Sequence, residues 1–197
     1  MRKLTTEDYT VSNWSGGTTT QLAIFPPEAK YADRDFLWRV SSATVELEAS
    51  DFTVLPDYER LIATLKGDIV LTDNDGAPLR LQPYAVHAFS GADATHSVGR
   101  CTDFNLMLCR GRASGTMEAM TVDTTLEPCA PVSLVSTPGE TLLLYCADGT
   151  CTAIEETTQA GAQSVSLRPG ETLLLTEPAS LRLSGQGRFL LCRMRCK

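Results

Sequence analysis

No window of a dozen residues in this chain carries a sustained 3.6-residue apolar period with capping residues at its ends. That absence constrains the fold more than any other feature. Apolar residues come instead in short or alternating runs, at 38–47, 61–71, 104–109, 141–146, 172–176 and 188–193. Turn-forming clusters separate them: Asp73-Asn74-Asp75-Gly76, Asp148-Gly149, Arg168-Pro169-Gly170 and Ser184-Gly185-Gln186-Gly187. Asp75-Gly76 and Asp148-Gly149 are hairpin-type dipeptides, because glycine accepts the positive φ such turns need. Many short strands with regular turns make an all-β sandwich or barrel.

The chain has 197 residues, 43% of them hydrophobic, enough for one sizeable core or two small barrels. A weak internal repeat favours two. Glu59-Arg60-Leu61-Ile62 resembles Glu140-Thr141-Leu142-Leu143, Leu79-Arg80-Leu81 resembles Val165-Ser166-Leu167, and Phe104-Asn105-Leu106 resembles Phe189-Leu190-Leu191. The offsets are roughly 80–86 residues, the size of one small barrel. Two barrels are therefore expected over 1–112 and 113–197, with the N-terminal strands open to exchange between them. The small, polar segment 112–120 is the expected crossover, and the charged segment 29–35 reads as an exposed loop.

Charge narrows the partners. The net charge of −7, with no basic run beyond the C-terminal tail, argues against nucleic acid and anionic membrane. No stretch approaches the roughly 20 apolar residues of a membrane helix. Arg2-Lys3 lacks the apolar run of a signal peptide behind it, so the expected compartment is the cytoplasm. The seven cysteines are odd in number and include no Cys-x-x-Cys, so neither a disulfide framework nor a zinc ribbon is signalled. Cys109 and Cys192 sit in apolar runs and read as small buried hydrophobes.

Chemistry concentrates in the first half, which holds both histidines and both tryptophans. The densest motif is Asn13-Trp14-Ser15-Gly16-Gly17-Thr18-Thr19-Thr20-Gln21. Backbone N–H groups at such a glycine turn can hold an anion, with threonine hydroxyls as further donors; the plainer reading is a glycine turn opening an edge strand. In 38–47 a period of two puts Arg39, Ser41, Ala43, Val45 and Leu47 on one face. A guanidinium on a core-facing row needs an anion, either an internal salt bridge or a ligand carboxylate. Arg60 opens another apolar strand. Asp103, Asn105 and Met107 share the face opposite Phe104 and Leu106, and either face out or line a polar lumen. His87 and His96 have no ligand-spaced partner, so neither a metal nor any other cofactor is expected.

Four ordered motifs then resemble the HutD/Ves family: Trp14 to Gln21, Asp35 to Ala43, Phe52 to Arg60, and Asp103 to Met107 with Arg110-Gly111. The family pattern is altered here, with Ser15 in a variable place, one glycine fewer and Gln21 where an acid is usual. The resemblance implies a bicupin, two jelly-roll-like barrels of the RmlC-like cupin type without the usual cupin metal ligands. It also implies a role around bacterial histidine utilisation, sensing a glutamate-like or formylated acid. The expected site is Arg39 and Arg60 on carboxylates, Thr18, Thr20, Gln21 and Asn105 hydrogen-bonding, and Trp14 as a wall. A cupin enzyme, isomerase or metal-dependent oxygenase, and a structural dimerisation module stay open as alternatives, and a homodimer is the assembly allowed for.

Overall fold

The computed structural model describes residues 1–125, 132–156 and 162–197. Cys129 lies outside the described residues. The fold is all-β, with one 3-10 turn at Tyr31–Asp33 and no α-helix among the described residues. The named strands pair antiparallel, as short alternating runs joined by tight turns require. The chain divides into two compact units, Tyr9–Ser114 with Lys197, and Met1–Asp8 with Gly115–Cys196.

The first unit is built from two sheets. Six strands pair in the order β2 (Thr10–Trp14), β3 (Gly17–Phe25), β4 (Trp38–Val45), β11 (Cys101–Cys109), β6 (Tyr58–Lys66) and β9 (Val86–Ser90). Four more pair as β5 (Ala49–Asp51), β10 (Thr95–Val98), β7 (Ile69–Asp73) and β8 (Leu79–Leu81). Val45, Ile62, Phe89 and Cys101 of the larger sheet pack with Ile69, Leu71 and Leu81 of the smaller one. Their alternation along each strand is what brings one apolar face of each sheet together. Asp75-Gly76 lies in the expected hairpin, between the antiparallel β7 and β8, with Asn74 and Asp75 at positive φ.

The second unit holds β1 (Arg2–Leu4), β12 (Ala113–Asp123), β13 (Val132–Ser136), β14 (Glu140–Glu155), β15 (Ser164–Leu167), β16 (Thr172–Leu175) and β17 (Ala179–Cys196). Two long strands, β14 and β17, pair along nearly their whole length. β16 joins the N-terminal part of β14, and β15 joins its C-terminal part. Leu142, Leu144, Leu167, Leu173, Leu181, Leu183, Phe189 and Leu191 form its core, all fully or almost fully buried. At about 1.5–3 kcal/mol for each large apolar side chain buried, this aliphatic cluster is the unit's main source of stability.

Two expectations about connections need correcting. Asp148-Gly149 is not a hairpin turn. It lies inside β14 at a bulge, where the register against β17 shifts between Cys146 and Asp148. Gly149 has φ +73, and a Cβ there would meet the Gln186 carbonyl oxygen at 2.1 Å, so the residue serves a strand bend and a close backbone approach. The Ser184–Gly187 cluster likewise lies within β17, opposite that bend. The expected crossover 112–120 is where the chain passes from one unit to the other, between Ser114 and Gly115, and it does so within β12, where Ala113 and Met117 are buried.

Candidate ligand-binding site

A cavity of about 340 Å³ opens within the first unit, on the face of the six-stranded sheet that carries Arg39, Arg60, Asp103 and Asn105. Register explains the convergence. Met107 pairs with Arg39 on one side and Arg60 on the other, while Asn105 pairs with Ser41 and Ile62. Residues opposite one another in adjacent strands point to the same face, so the two arginines share a wall. Two strand spacings put their Cα atoms about 10 Å apart. Val40, Phe104 and Leu106 take the opposite face and are fully buried. Of the two orientations open for Asp103 and Asn105, the structure therefore has the polar lumen.

The two arginines are 5% and 6% exposed, yet neither has an ion-pair partner among the described residues. Arg39 donates from Nε to Gln21 Oε1 at 2.8 Å and from Nη1 to Ser41 Oγ at 3.0 Å. Its guanidinium lies over the Tyr31 ring at 4.3 Å. Arg60 donates from Nη2 to Asn105 Oδ1 at 3.2 Å and makes a long 3.5 Å contact from Nη1 to the Thr53 carbonyl. Its guanidinium lies over both the Phe52 and Phe89 rings, 4.9 Å from each centroid. The Arg60 Nε–H is buried and has no hydrogen-bond partner. Burial lowers both arginines, Arg39 to about 10, where it remains cationic at neutral pH.

Asp103 supplies the buried negative charge, at 5% exposure. Its Oδ1 accepts the Ala43 N–H at 3.1 Å and the Asn105 amide at 2.7 Å. Burial raises its carboxyl to about 6, against the opposing pull of those two hydrogen bonds and of Arg60 and Arg39. Asn105 thus bridges Asp103 to Arg60 through one amide group. With Asp103 ionised, the buried groups of the wall carry two positive charges and one negative, while the wall's other carboxylate, Asp51, is exposed and paired with His96. A desolvated excess of positive charge is a site for an anion.

Of the expected site residues, the cavity brings together Trp14, Arg39, Arg60 and Asn105, with Gln21 oriented onto Arg39. Thr18 and Thr20 are not part of its wall. Thr18 Oγ1 instead donates to Asn13 Oδ1 at 3.1 Å on the exposed side. The reason is strand alternation: Thr19 lines the cavity, so Thr18 and Thr20 point the other way. The Ser15-Gly16 turn joins β2 to β3 and contributes nothing to the wall; the strand it opens, β3, is no edge strand, being paired with β2 on one side and β4 on the other. Asp103 has a sequence signal in its period-two relation to Asn105. Tyr31, Phe52 and Thr53 come from irregular segments, where no periodicity announces an inward side chain.

The donor set does not fit a metal. Among the described residues no three His, Cys, Asp or Glu side chains form a metal-binding group. His87 lies 3.2 Å from Asp73 and His96 lies 2.7 Å from Asp51, as separate pairs. The cavity wall has no histidine or cysteine, and its carboxylates, Asp51 and Asp103, share it with two guanidiniums. Such a wall repels a divalent cation. No helix among the described residues is long and apolar enough to cross a membrane.

Comparison with known proteins places these features. The family described as HutD matches residues 6–192. An uncharacterised 21.2 kDa protein in the hutC 3′ region of Pseudomonas putida is 32% identical over 111 residues. That alignment spans 54% of this chain and 57% of the relative, little more than half of each. HutD from Pseudomonas fluorescens SBW25, solved in a formate condition, superposes with a TM-score of 0.76 at 20% identity, covering 100% of this chain and 98% of that one. A single-substitution variant of oxalate decarboxylase from Bacillus subtilis superposes at 0.57 with 7% identity, covering 100% of this chain and 77% of that one. These likenesses identify the fold as that of the cupins.

Proposed function

The chain belongs to the HutD family, and from that premise we propose that it is a metal-free receptor for a small carboxylate, acting in the cytoplasm. One observation carries the reading: two buried guanidiniums face a cavity, neither in an ion pair among the described residues, with a single buried carboxylate, Asp103, on the same wall. An internal salt bridge would have explained Arg39 and Arg60 equally well from sequence, and neither arginine has one among the described residues. A cavity of about 340 Å³ sits at the small end of the roughly 300–1,000 Å³ typical of ligand pockets, the size of a metabolite. The relative in the hutC 3′ region supports an acid of histidine or glutamate catabolism as the ligand. A receptor for such an acid has the chemistry to sense flux and regulate the pathway.

Calorimetry with glutamate, formylglutamate, histidine and urocanate tests the proposal. Saturable binding of at least one acid, lost in Arg60→Met, is the expected result. Failure of all four to bind the wild-type protein sinks this reading. Metal analysis of protein purified without chelator separates it from the enzyme alternative, which requires a stoichiometric transition metal.

A further inference from the structure

The wall that faces the ligand is not uniformly cationic, and the exception narrows the ligand class. Asp103 lines the cavity between the arginine-bearing strands β4 and β6. Its Oδ1 is fully used, by the Ala43 N–H and the Asn105 amide. Its Oδ2 has no hydrogen-bond partner among the described residues. A carboxylate oxygen in a mostly desolvated wall leaves one acceptor to be met by whatever enters.

From this we infer that the cavity selects carboxylates that also carry an amino nitrogen over plain carboxylates of the same length. The inference rests on the proposed carboxylate site and adds the second recognition element. The carboxylate meets the guanidinium donors, and the nitrogen donates to Asp103 Oδ2. Charge points the same way. The buried groups, two guanidiniums and one carboxylate, leave a single positive charge, which an amino dicarboxylate of net charge −1 balances; the wall's other carboxylate, Asp51, is exposed and paired with His96. A plain dicarboxylate of charge −2 overfills the site unless Asp103 takes up a proton. The groups facing Asp103 are Arg60 on β6, Arg39 on β4 and the Cys101 thiol on β11 itself, with Tyr31 and Asp51 elsewhere on the cavity wall.

L-Glutamate and glutarate make the test, since they share a five-carbon dicarboxylate frame and differ in the amine. Calorimetric titration of the full chain at pH 7.5 should show glutamate binding tenfold or more tightly than glutarate. In Asp103→Asn the Oδ1 acceptor is kept and an N–H₂ donor replaces Oδ2, so the preference should vanish or reverse. A second measurement needs no variant: lowering the pH from 7.5 to 5.5 should strengthen glutarate binding and weaken glutamate binding as Asp103 takes up a proton. Equal affinities at pH 7.5, or a preference unchanged both in Asp103→Asn and across the pH range, overturn the inference while leaving the carboxylate site standing. Failure of both acids, together with the panel above, removes the carboxylate site and this inference with it.

Discussion

Replacing Asp103 by Asn should stabilise the protein at neutral pH and do nothing at low pH. The folded environment raises this carboxyl from 3.8 to about 6, chiefly by burial. Below 3.8 the group is protonated in both the folded and unfolded chain and contributes nothing. Between 3.8 and 6 the unfolded chain releases the proton and the folded one retains it, so stability falls as pH rises. Above 6 the penalty is complete, at about 3 kcal/mol from about 1.4 kcal/mol per pH unit. Asparagine keeps the Oδ1 acceptor for Ala43 and Asn105 without the charge. Both tryptophans, Trp14 and Trp38, belong to the unit that holds the cavity, so fluorescence during urea unfolding reports on the right part of the chain. The titrations are run from pH 3.5 to 8 in buffers free of carboxylates. The two proteins should have matching stability near pH 3.5 and diverge by about 3 kcal/mol by pH 7, a midpoint shift on the order of 1–3 M urea in favour of Asn. A difference that stays constant across the range, or one that favours Asp at neutral pH, refutes the assignment of Asp103 as a buried charge without sufficient compensation.

Other perturbations sort binding from folding. Arg60→Met should weaken the bound acid by about 10- to 100-fold, the loss of charge-assisted hydrogen bonds worth about 1.5–3 kcal/mol, as read by calorimetry. Thr18→Val and Thr20→Val should leave that affinity within about twofold, because both side chains point away from the cavity. Gly17→Ala should destabilise the protein by at least about 2 kcal/mol in the same urea assay, since φ is +150 and a Cβ would lie 1.9 Å from the Thr44 carbonyl oxygen. In the second unit, Leu144→Ala should cost about 2–5 kcal/mol without changing ligand affinity.

Strand alternation made much of this structure legible. It put Arg39 and Ser41 on one face and grouped Asn105 with Asp103, and the register then joined those rows across β4, β11 and β6. The same rule separates Thr19 from Thr18 and Thr20. Naming Thr18 and Thr20 together with Gln21 mixed two faces of one strand, an error visible once the parity is followed. Asp148-Gly149 shows a different limit. The dipeptide permits a positive φ but does not state whether the chain reverses or only bends, and here long pairing with β17 makes it a bulge. Tyr31 was hidden in a charged segment, yet its ring packs near Phe36 and receives both Arg34 and Arg39. Side chains placed by irregular backbone carry no period to read. The contrast between the halves was legible in composition: leucines fill the core of the second unit, while the first keeps its polar wall.

The buried Nε–H of Arg60 offers the most direct test of the central claim. Its ¹H–¹⁵N resonance, identified by its loss in Arg60→Lys, can be followed while glutamate, formylglutamate, histidine and urocanate are added in turn. At least one acid is expected to shift this signal saturably, with the same affinity that calorimetry reports. A signal that stays fixed under all four acids contradicts that claim.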